Sequence, residues 1–177
     1  MLVGERVKLR DLRKEDVQLA YQYMNDPEVI LNLWTSIPYP MTLESEMAWF
    51  ETQKERKDTY NFSIEALDSG LYIGGCGIND LDWKNSVATV GIYIGHKDYR
   101  GKGYGTEAMK LLLKFIFSQI NVNKVQLNVF GFNERAIKSY KKNGFIEEGR
   151  LRQAIFRNGK YHDEIIMGIL REEYFKD

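Results

Sequence analysis

The sequence predicts an α/β fold: a mixed, mostly antiparallel twisted sheet with a central parallel strand–helix–strand unit and flanking helices. Three observations predict it. Between Tyr60 and Gly95, apolar and polar residues alternate in three short runs joined by brief polar turns, the pattern of an antiparallel meander. The last of these runs leads into a long apolar helical pattern, Glu107 to Phe117, and then into another alternating run, Lys124 to Phe130. A strand–helix–strand unit of that length requires a right-handed crossover and a parallel neighbour. Near the end, Asn158-Gly159 between two alternating runs is a strong hairpin signal.

The elements follow in order. Glu5 to Leu12 reads as a strand, with Val7 and Leu9 alternating against Arg6, Lys8 and Arg10. Lys14 to Asn25 reads as a helix, because Val17, Ala20, Tyr21 and Met24 share one face, and Asp26-Pro27 stops it. Glu28 to Met41, with Pro38 and Pro40, reads as irregular. Thr42 is placed to cap a helix carrying Leu43, Met47 and Phe50. The meander strands are Tyr60–Leu67, Leu71–Ile78 and Ser86–Gly95, with a polar connection from Asp80 to Asn85. Asn133 is placed to cap a helix over Glu134–Asn143, with Gly144 in left-handed geometry at its end. Phe145 to Glu148 starts another strand, and Arg150–Phe156 and His162–Leu170 flank the turn Arg157-Asn158-Gly159-Lys160.

Composition narrows the classes. A length of 177 residues suits one domain, residues 1–177, since no linker or repeat interrupts it. The 25 basic and 25 acidic residues cancel, so no global field recruits nucleic acid. No apolar run is long enough to span a bilayer, and Met1 to Arg10 lacks the apolar centre of a signal peptide. A single cysteine, Cys76, excludes an internal disulfide and suits a reducing compartment, so a cytoplasmic location is expected. With one cysteine and two separated histidines, no metal site is expected.

The chemistry concentrates in Tyr99-Arg100-Gly101-Lys102-Gly103-Tyr104-Gly105-Thr106, where a strand hands over to a helix. Glycines let backbone amides turn inward, and the first turn of a helix has unpaired N–H groups at its positive dipole end. Together they predict an anion cradle suited to a pyrophosphate, with charge added by Arg100 and Lys102. Neither the G-x-x-x-x-G-K-[ST] pattern nor G-x-G-x-x-G spacing is met, because position 106 is Thr and 108 is Ala.

The spacing Arg100, Gly103, Gly105 resembles the Arg/Gln-x-x-Gly-x-Gly/Ala loop that holds acetyl-CoA in the GNAT superfamily of N-acetyltransferases. Asn133-Glu134-Arg135-Ala136 through Tyr140 to Gly144-Phe145 is similar to the second signature, Asn-x-x-Ala-x-x-x-Tyr-x-x-x-Gly-Phe. The start, Gly4 to Arg10, and the end, Glu148-Gly149 through Asn158-Gly159-Lys160-Tyr161 to Asp163, resemble the RimJ/RimL branch. That branch includes ribosomal-protein N-terminal acetylases and spermidine acetyltransferases.

The resemblance implies transfer of an acetyl group from acetyl-CoA to a primary amine by direct attack in a ternary complex. The acceptor is left open between a small amine, a polyamine and a protein N-terminus. It also implies roles. Backbone groups of Ile92, Tyr93 and Ile94 would meet the pantetheine and thioester. Arg100, Gly101, Lys102, Gly103, Tyr104, Gly105 and Thr106 would hold the pyrophosphate, and Asn133 would bond the pantetheine arm. Tyr140 would protonate the leaving thiolate, although its helical face, shared with Ala136 and Ile137, also reads as core. Many relatives carry Glu where this chain has Thr89. Thr cannot act as a base, so a water relay, Glu65 or an acid of the helical region is left to deprotonate the amine. A non-catalytic acyl-CoA-binding regulatory module is the alternative reading. Trp34, Tyr39 and Trp49 either line an acceptor pocket or bury their own region, and Glu28, Glu44, Glu46, Asp80 and Asp82 are acids that would attract a cation or face solvent. Cys76, with no histidine beside it, reads as a small buried strand residue. The C-terminal hairpin makes a homodimer plausible.

Overall fold

The computed structural model describes residues 2–53 and 57–176. Eight strands form one sheet in the order β1-β2-β3-β4-β5-β6-β8-β7. They are β1 (Leu2–Val3), β2 (Val7–Arg10), β3 (Tyr60–Ala66), β4 (Tyr72–Asp82), β5 (Val87–Ile94), β6 (Lys124–Phe130), β7 (Ile146–Arg157) and β8 (Lys160–Leu170). Every pairing is antiparallel except β5–β6, which is parallel, as the crossover predicts. Asn158 and Gly159 take φ values of 50° and 77° and close the β7–β8 hairpin in the expected mirror-image turn.

Helices cover the sheet on two sides. On one side lie α4 (Tyr104–Gln119) and α5 (Glu134–Lys142). Ala108, Met109, Leu112, Ile116 and Phe117 of α4 are fully buried against Val7, Ile64, Ile78, Val125 and Leu127. Met109, Leu112, Ile116 and Phe117 each contribute about 1.5–3 kcal/mol of transfer free energy, so this helix braces the core. On the other side lie α1 (Val17–Met24), α2 (Pro27–Leu33) and α3 (Leu43–Thr52), with Ala20 and Tyr23 packed on Tyr72 and Tyr93. Strand alternation on β5 therefore sends Ile92 and Ile94 toward α4 and Tyr93 toward α1. A short helix, α6 (Arg171–Tyr174), follows β8.

Two readings need correction. The stretch after Pro27 is helical to Leu33, not irregular. Asp26 accepts a hydrogen bond from the Glu28 amide at 3.0 Å and Pro27 takes the first helical position, so the residue that ends one helix begins the next. β4 also continues through Asp82 instead of stopping at Ile78. It does so past a bulge: Ile78 pairs with Val90 and Asp80 with Thr89, leaving Asn79 as an extra residue.

β2 is tied to the start of α1 by a buried ion cluster. Asp16 accepts two hydrogen bonds from the Arg10 guanidinium (2.7 and 2.8 Å), one from Ser63 Oγ (2.9 Å) and one from the Arg13 amide (3.1 Å). Arg10 also donates to Glu65, which is paired in addition with Lys8. Burial pushes the Asp16 carboxyl up, but its donors, Arg10 first, outweigh that and hold it below the ordinary carboxylate range. Its folded value thus lies below its unfolded one, so the stabilisation is present above about pH 4 and is lost as pH falls through the folded value. Asp16→Ala is expected to cost about 2–4 kcal/mol in urea denaturation at neutral pH, because it leaves two terminal nitrogens of a buried guanidinium without their carboxylate, Glu65 alone remaining. The difference from wild type should shrink as the titration is repeated at lower pH.

Candidate active site

The parallel pairing of β5 with β6 runs for three residue pairs only, ending at Thr89 and Gln126. Beyond that point the strands part. The β4 bulge sits at the same level, and bulges bend a strand and increase its twist. Asn79 lies over Gly91: a Cβ there would come within 2.8 Å of Asn79 Nδ2. The fork opens into a cavity of about 1000 Å³, lined by Thr89–Ile94 of β5, by Gln126 and Asn128–Phe130 of β6, and by the loop before α4.

Peptide groups inside the fork have no strand to pair with. The Gly95 amide bonds to Ile73 of β4, and the Ile94 carbonyl accepts from Arg100 on the other side. Alternation then turns the peptide groups of Ile92 and Ile94 toward the fork and those of Gly91 and Tyr93 toward β4. Tyr93 consequently reaches the site differently from the expected backbone contact. Its phenol hydrogen-bonds Tyr72 Oη at 2.5 Å beneath α1.

At the head of the cavity, the amides of residues 101–106 make no hydrogen bond among the described residues, six in succession. Gly101 (φ 71°) and Gly103 (φ 92°) alternate in left-handed geometry, which side-chain-bearing residues resist, and α4 starts at Tyr104. Alternating hands of this kind build an anion-binding nest in front of the helix dipole. Gly101, Gly103, Gly105 and Thr106 line the cavity.

Three neighbours behave otherwise than their charge or position suggests. The Arg100 guanidinium is not a free cation. Its Nε donates to the Ile94 carbonyl (3.0 Å), one terminal nitrogen to Glu28 (2.8 Å), and the other to Asp26 (2.8 Å) and the Gly95 carbonyl. Arg100 therefore braces the loop against α2. Lys102 does not line the cavity, and its carbonyl accepts from Arg6 at 2.7 Å. Tyr104 turns away and donates to Asp68 of the β3–β4 turn at 2.9 Å. Arg135, Lys138 and Lys142 of α5 supply cations at the wall instead, Arg135 being paired with Glu28 at 2.9 Å. Glu28, held by Arg135 first and also by Arg100, stays below the usual carboxylate range.

The α5 wall carries the other expected residues. Asn133 Oδ1 caps the helix by accepting from the Ala136 amide at 3.2 Å, which leaves its amide N–H groups for the cavity. Thr106 and Ser139 share a hydrogen bond of 2.8 Å, and Asn143 donates to the Thr106 carbonyl at 3.1 Å, so α5 is pinned to the first turn of α4. Tyr140 lines the same cavity yet is 8% exposed, edge-on to Phe145. Burial pushes its phenol up to about 12, so it stays protonated.

Several candidates fall away. Glu65 is committed to Lys8 and Arg10 and sits in the β2–β3 cluster. Trp34, Tyr39 and Trp49 do not line the cavity; Val29, Asn32, Leu33 and Thr35 do. Of the five acids considered for cation attraction, Glu28 alone lines it. Cys76 is buried in the core, and burial pushes its thiol up, away from thiolate. Sequence reading missed Asn79, Gln126, Asn128 and Glu164, all on the cavity wall. Their alternation with core residues is indistinguishable from that of a solvated strand face.

Comparison with known proteins agrees with this geometry. Residues 6–146 match the acetyltransferase (GNAT) domain family. The chain belongs to the GNAT acetyltransferases. It is 34% identical, over 97% of its length and 93% of the relative's, to the SPβ prophage-derived uncharacterized N-acetyltransferase YokL of Bacillus subtilis. It is 32% identical to the spermidine N(1)-acetyltransferase of Escherichia coli K12, covering 97% of this chain and 89% of the other. Among solved structures, the spermidine N-acetyltransferase of Vibrio cholerae in complex with CoA and spermine aligns with a TM-score of 0.87 at 25% identity, over 96% and 98% of the two chains. A dodecameric form of that Vibrio enzyme aligns at 26% identity, covering 96% of each chain, with a TM-score of 0.79. This GNAT chain is thus an acyltransferase with acetyl-CoA as cosubstrate and an amine as acceptor. Among the described residues no cluster of three or more His, Cys, Asp or Glu side chains could hold a metal, and no helix is long and apolar enough to cross a membrane.

The bracing role of Arg100 is testable. Arg100→Ala leaves Asp26 and two carbonyls short of a donor, and is expected to lower stability by about 2–4 kcal/mol in urea titration. An unchanged midpoint would show that the network carries no weight.

Proposed function

We propose that residues 101–106 hold the diphosphate of acetyl-CoA by their amides, that the fork takes its pantetheine arm, and that Tyr140 is the general acid. The observation that supports this reading is that Gly101, Gly103, Gly105 and Thr106, with amides unpaired among the described residues, line the same cavity as a buried, protonated phenol. Nests of glycine amides suit a phosphate that side chains would keep at a distance. The Ile92 peptide, facing the fork, is suited to the pantetheine and, through its N–H, to the oxygen that gains charge at the thioester carbonyl. The Asn133 amide is suited to the carbonyls of the arm.

The proton balance needs a check of magnitudes. A free thiol has a pKa of about 8.5, so protonating a solvated thiolate from Tyr140 at about 12 would be uphill by about 5 kcal/mol. The thiolate forms in the same water-poor cavity, where burial raises a thiol as it raises the phenol, and the gap closes. Tyr140→Phe is expected to lower kcat by about 100-fold, with acetyl-CoA affinity within about threefold of wild type by calorimetry. The wild-type kcat should show no alkaline loss from Tyr140 below about pH 10. Binding of acetyl-CoA without thiol release for any amine would instead favour a regulatory module.

The acceptor is read as a primary amine, a small molecule, polyamine or protein N-terminus, entering from the α2 side past Asn32 and Thr35. The whole chain is read as one catalytic domain of the cytoplasm. A homo-oligomer is supported by exposed Leu151, Phe156 and Tyr161 on the β7–β8 hairpin and by the dodecameric Vibrio relative. Light scattering coupled to gel filtration is expected to give a mass of at least twice the 20.7 kDa chain; a monomer would remove this part.

A further inference from the structure

Three carboxylates line the cavity: Glu28, Glu134 and Glu164. Glu28 is held by two arginines. Glu134 has a side chain 78% exposed, with Lys138 at 3.8 Å. Glu164 is different. It is only 9% exposed, its Oε1 accepts from Asn128 Nδ2 at 3.0 Å, and no cation pairs with it among the described residues.

Its place in the sheet is defined by register. Thr89 lies beside Gln126, Asn128 beside Ile166, and Phe130 beside Glu164. Thr89, Gln126, Asn128 and Glu164 therefore share the face opposite the one on which α5 packs, where Val125, Leu127 and Val129 meet Tyr140. The cavity passes through the fork, so Glu164 and Tyr140 approach it from opposite faces. Of the groups on the neighbouring strands, Arg157 donates to the carbonyls of Trp34 and Ser36 and lies 5.7 Å over the Phe130 ring with its Nε unpartnered among the described residues, Arg150 pairs with Glu147 and Asp163, and His162 packs edge-on against Phe132.

Glu164 thus offers the cavity a carboxylate with one oxygen outside any hydrogen bond among the described residues, an acceptor suited to an ammonium. We propose that Glu164 seats the ammonium of the acceptor amine and takes its first proton, the role that Thr89 cannot fill. This rests on the acetyl-transfer reading above and adds the base to it. One proton passes from the ammonium to Glu164 Oε2, freeing the nitrogen lone pair. The C–N bond then forms at the thioester carbon, and the C–S bond breaks. The thiolate takes the Tyr140 proton, the second amine proton restores Tyr140, and Glu164 releases its proton to water. An ammonium and a thioester thus give an amide, a thiol and one proton.

The test is Glu164→Gln, which keeps an acceptor for Asn128 and nearly the same volume but cannot accept the proton. Thiol release from acetyl-CoA is followed with a panel of primary amines, with acetyl-CoA affinity measured by calorimetry and folding by thermal melt. At neutral pH, kcat/KM for the amine is expected to fall by about 100-fold or more, with acetyl-CoA affinity within about twofold. The deficit should shrink as pH rises toward the amine pKa, because solution then supplies the free base. Glu164→Asp, with its carboxylate withdrawn by one methylene, should give an intermediate rate even if the Gln variant folds poorly. Wild-type rates in Glu164→Gln, a deficit that does not change with pH, or an Asp variant no better than Gln would each overturn the assignment while leaving acetyl transfer standing. A wild-type protein that binds no acetyl-CoA, or transfers to no amine, would overturn both.

Discussion

The separation of β5 from β6 after Thr89 and Gln126 is the constraint on which the site depends. A parallel ladder that continued would satisfy every peptide group and leave no space between the strands. Because it stops, the Ile92 and Ile94 peptides face an opening, and both faces of the sheet gain access to one cavity. Backbone groups withdrawn from a ladder must find other partners or a ligand. The Ile94 carbonyl has already found Arg100, and the Ile92 peptide faces the opening.

Holding such an opening requires rigid surroundings, and charge supplies much of the rigidity. The Arg10–Asp16–Glu65 cluster fixes the sheet to α1, and the Arg100–Asp26–Glu28 cluster fixes the glycine loop to α2. Both use arginine, whose planar fork engages several oxygens at once. Of the acids that a first reading might assign to substrate, Glu28 and Glu65 are spent on these clusters and the rest do not line the cavity, which is why Glu164 stands out on its wall.

Local signals carried most of the fold. The alternation of the meander, the helix after Thr106, the Asn133 cap and the Asn158-Gly159 turn all depend on residues close in sequence, so each was legible. The α2 helix was not, because Pro27 both stops one helix and starts another. Gly101, Gly103 and Gly105 were singled out from their spacing and Asn133 and Tyr140 from the resemblance, and all five line the one cavity. The commitment of Arg100 was not: its partners Asp26 and Glu28 lie more than 70 positions away. Nor was the outward turn of Tyr104 toward Asp68. Glu164 was hidden for a third reason. On an alternating strand, a polar residue facing a cavity looks the same as one facing solvent until neighbouring strands and their register are known.

The surplus residue Asn79 in β4 separates two properties that usually travel together. Ile78 and Leu81 already point to the core on either side of Asn79, and they would continue to do so in a strand one residue shorter. Excising that residue would leave hydrophobic burial intact while relieving the bend beside the fork, letting the two parallel strands zip shut. Along this segment, chain length as well as side-chain identity bears on the shape of the opening beside it.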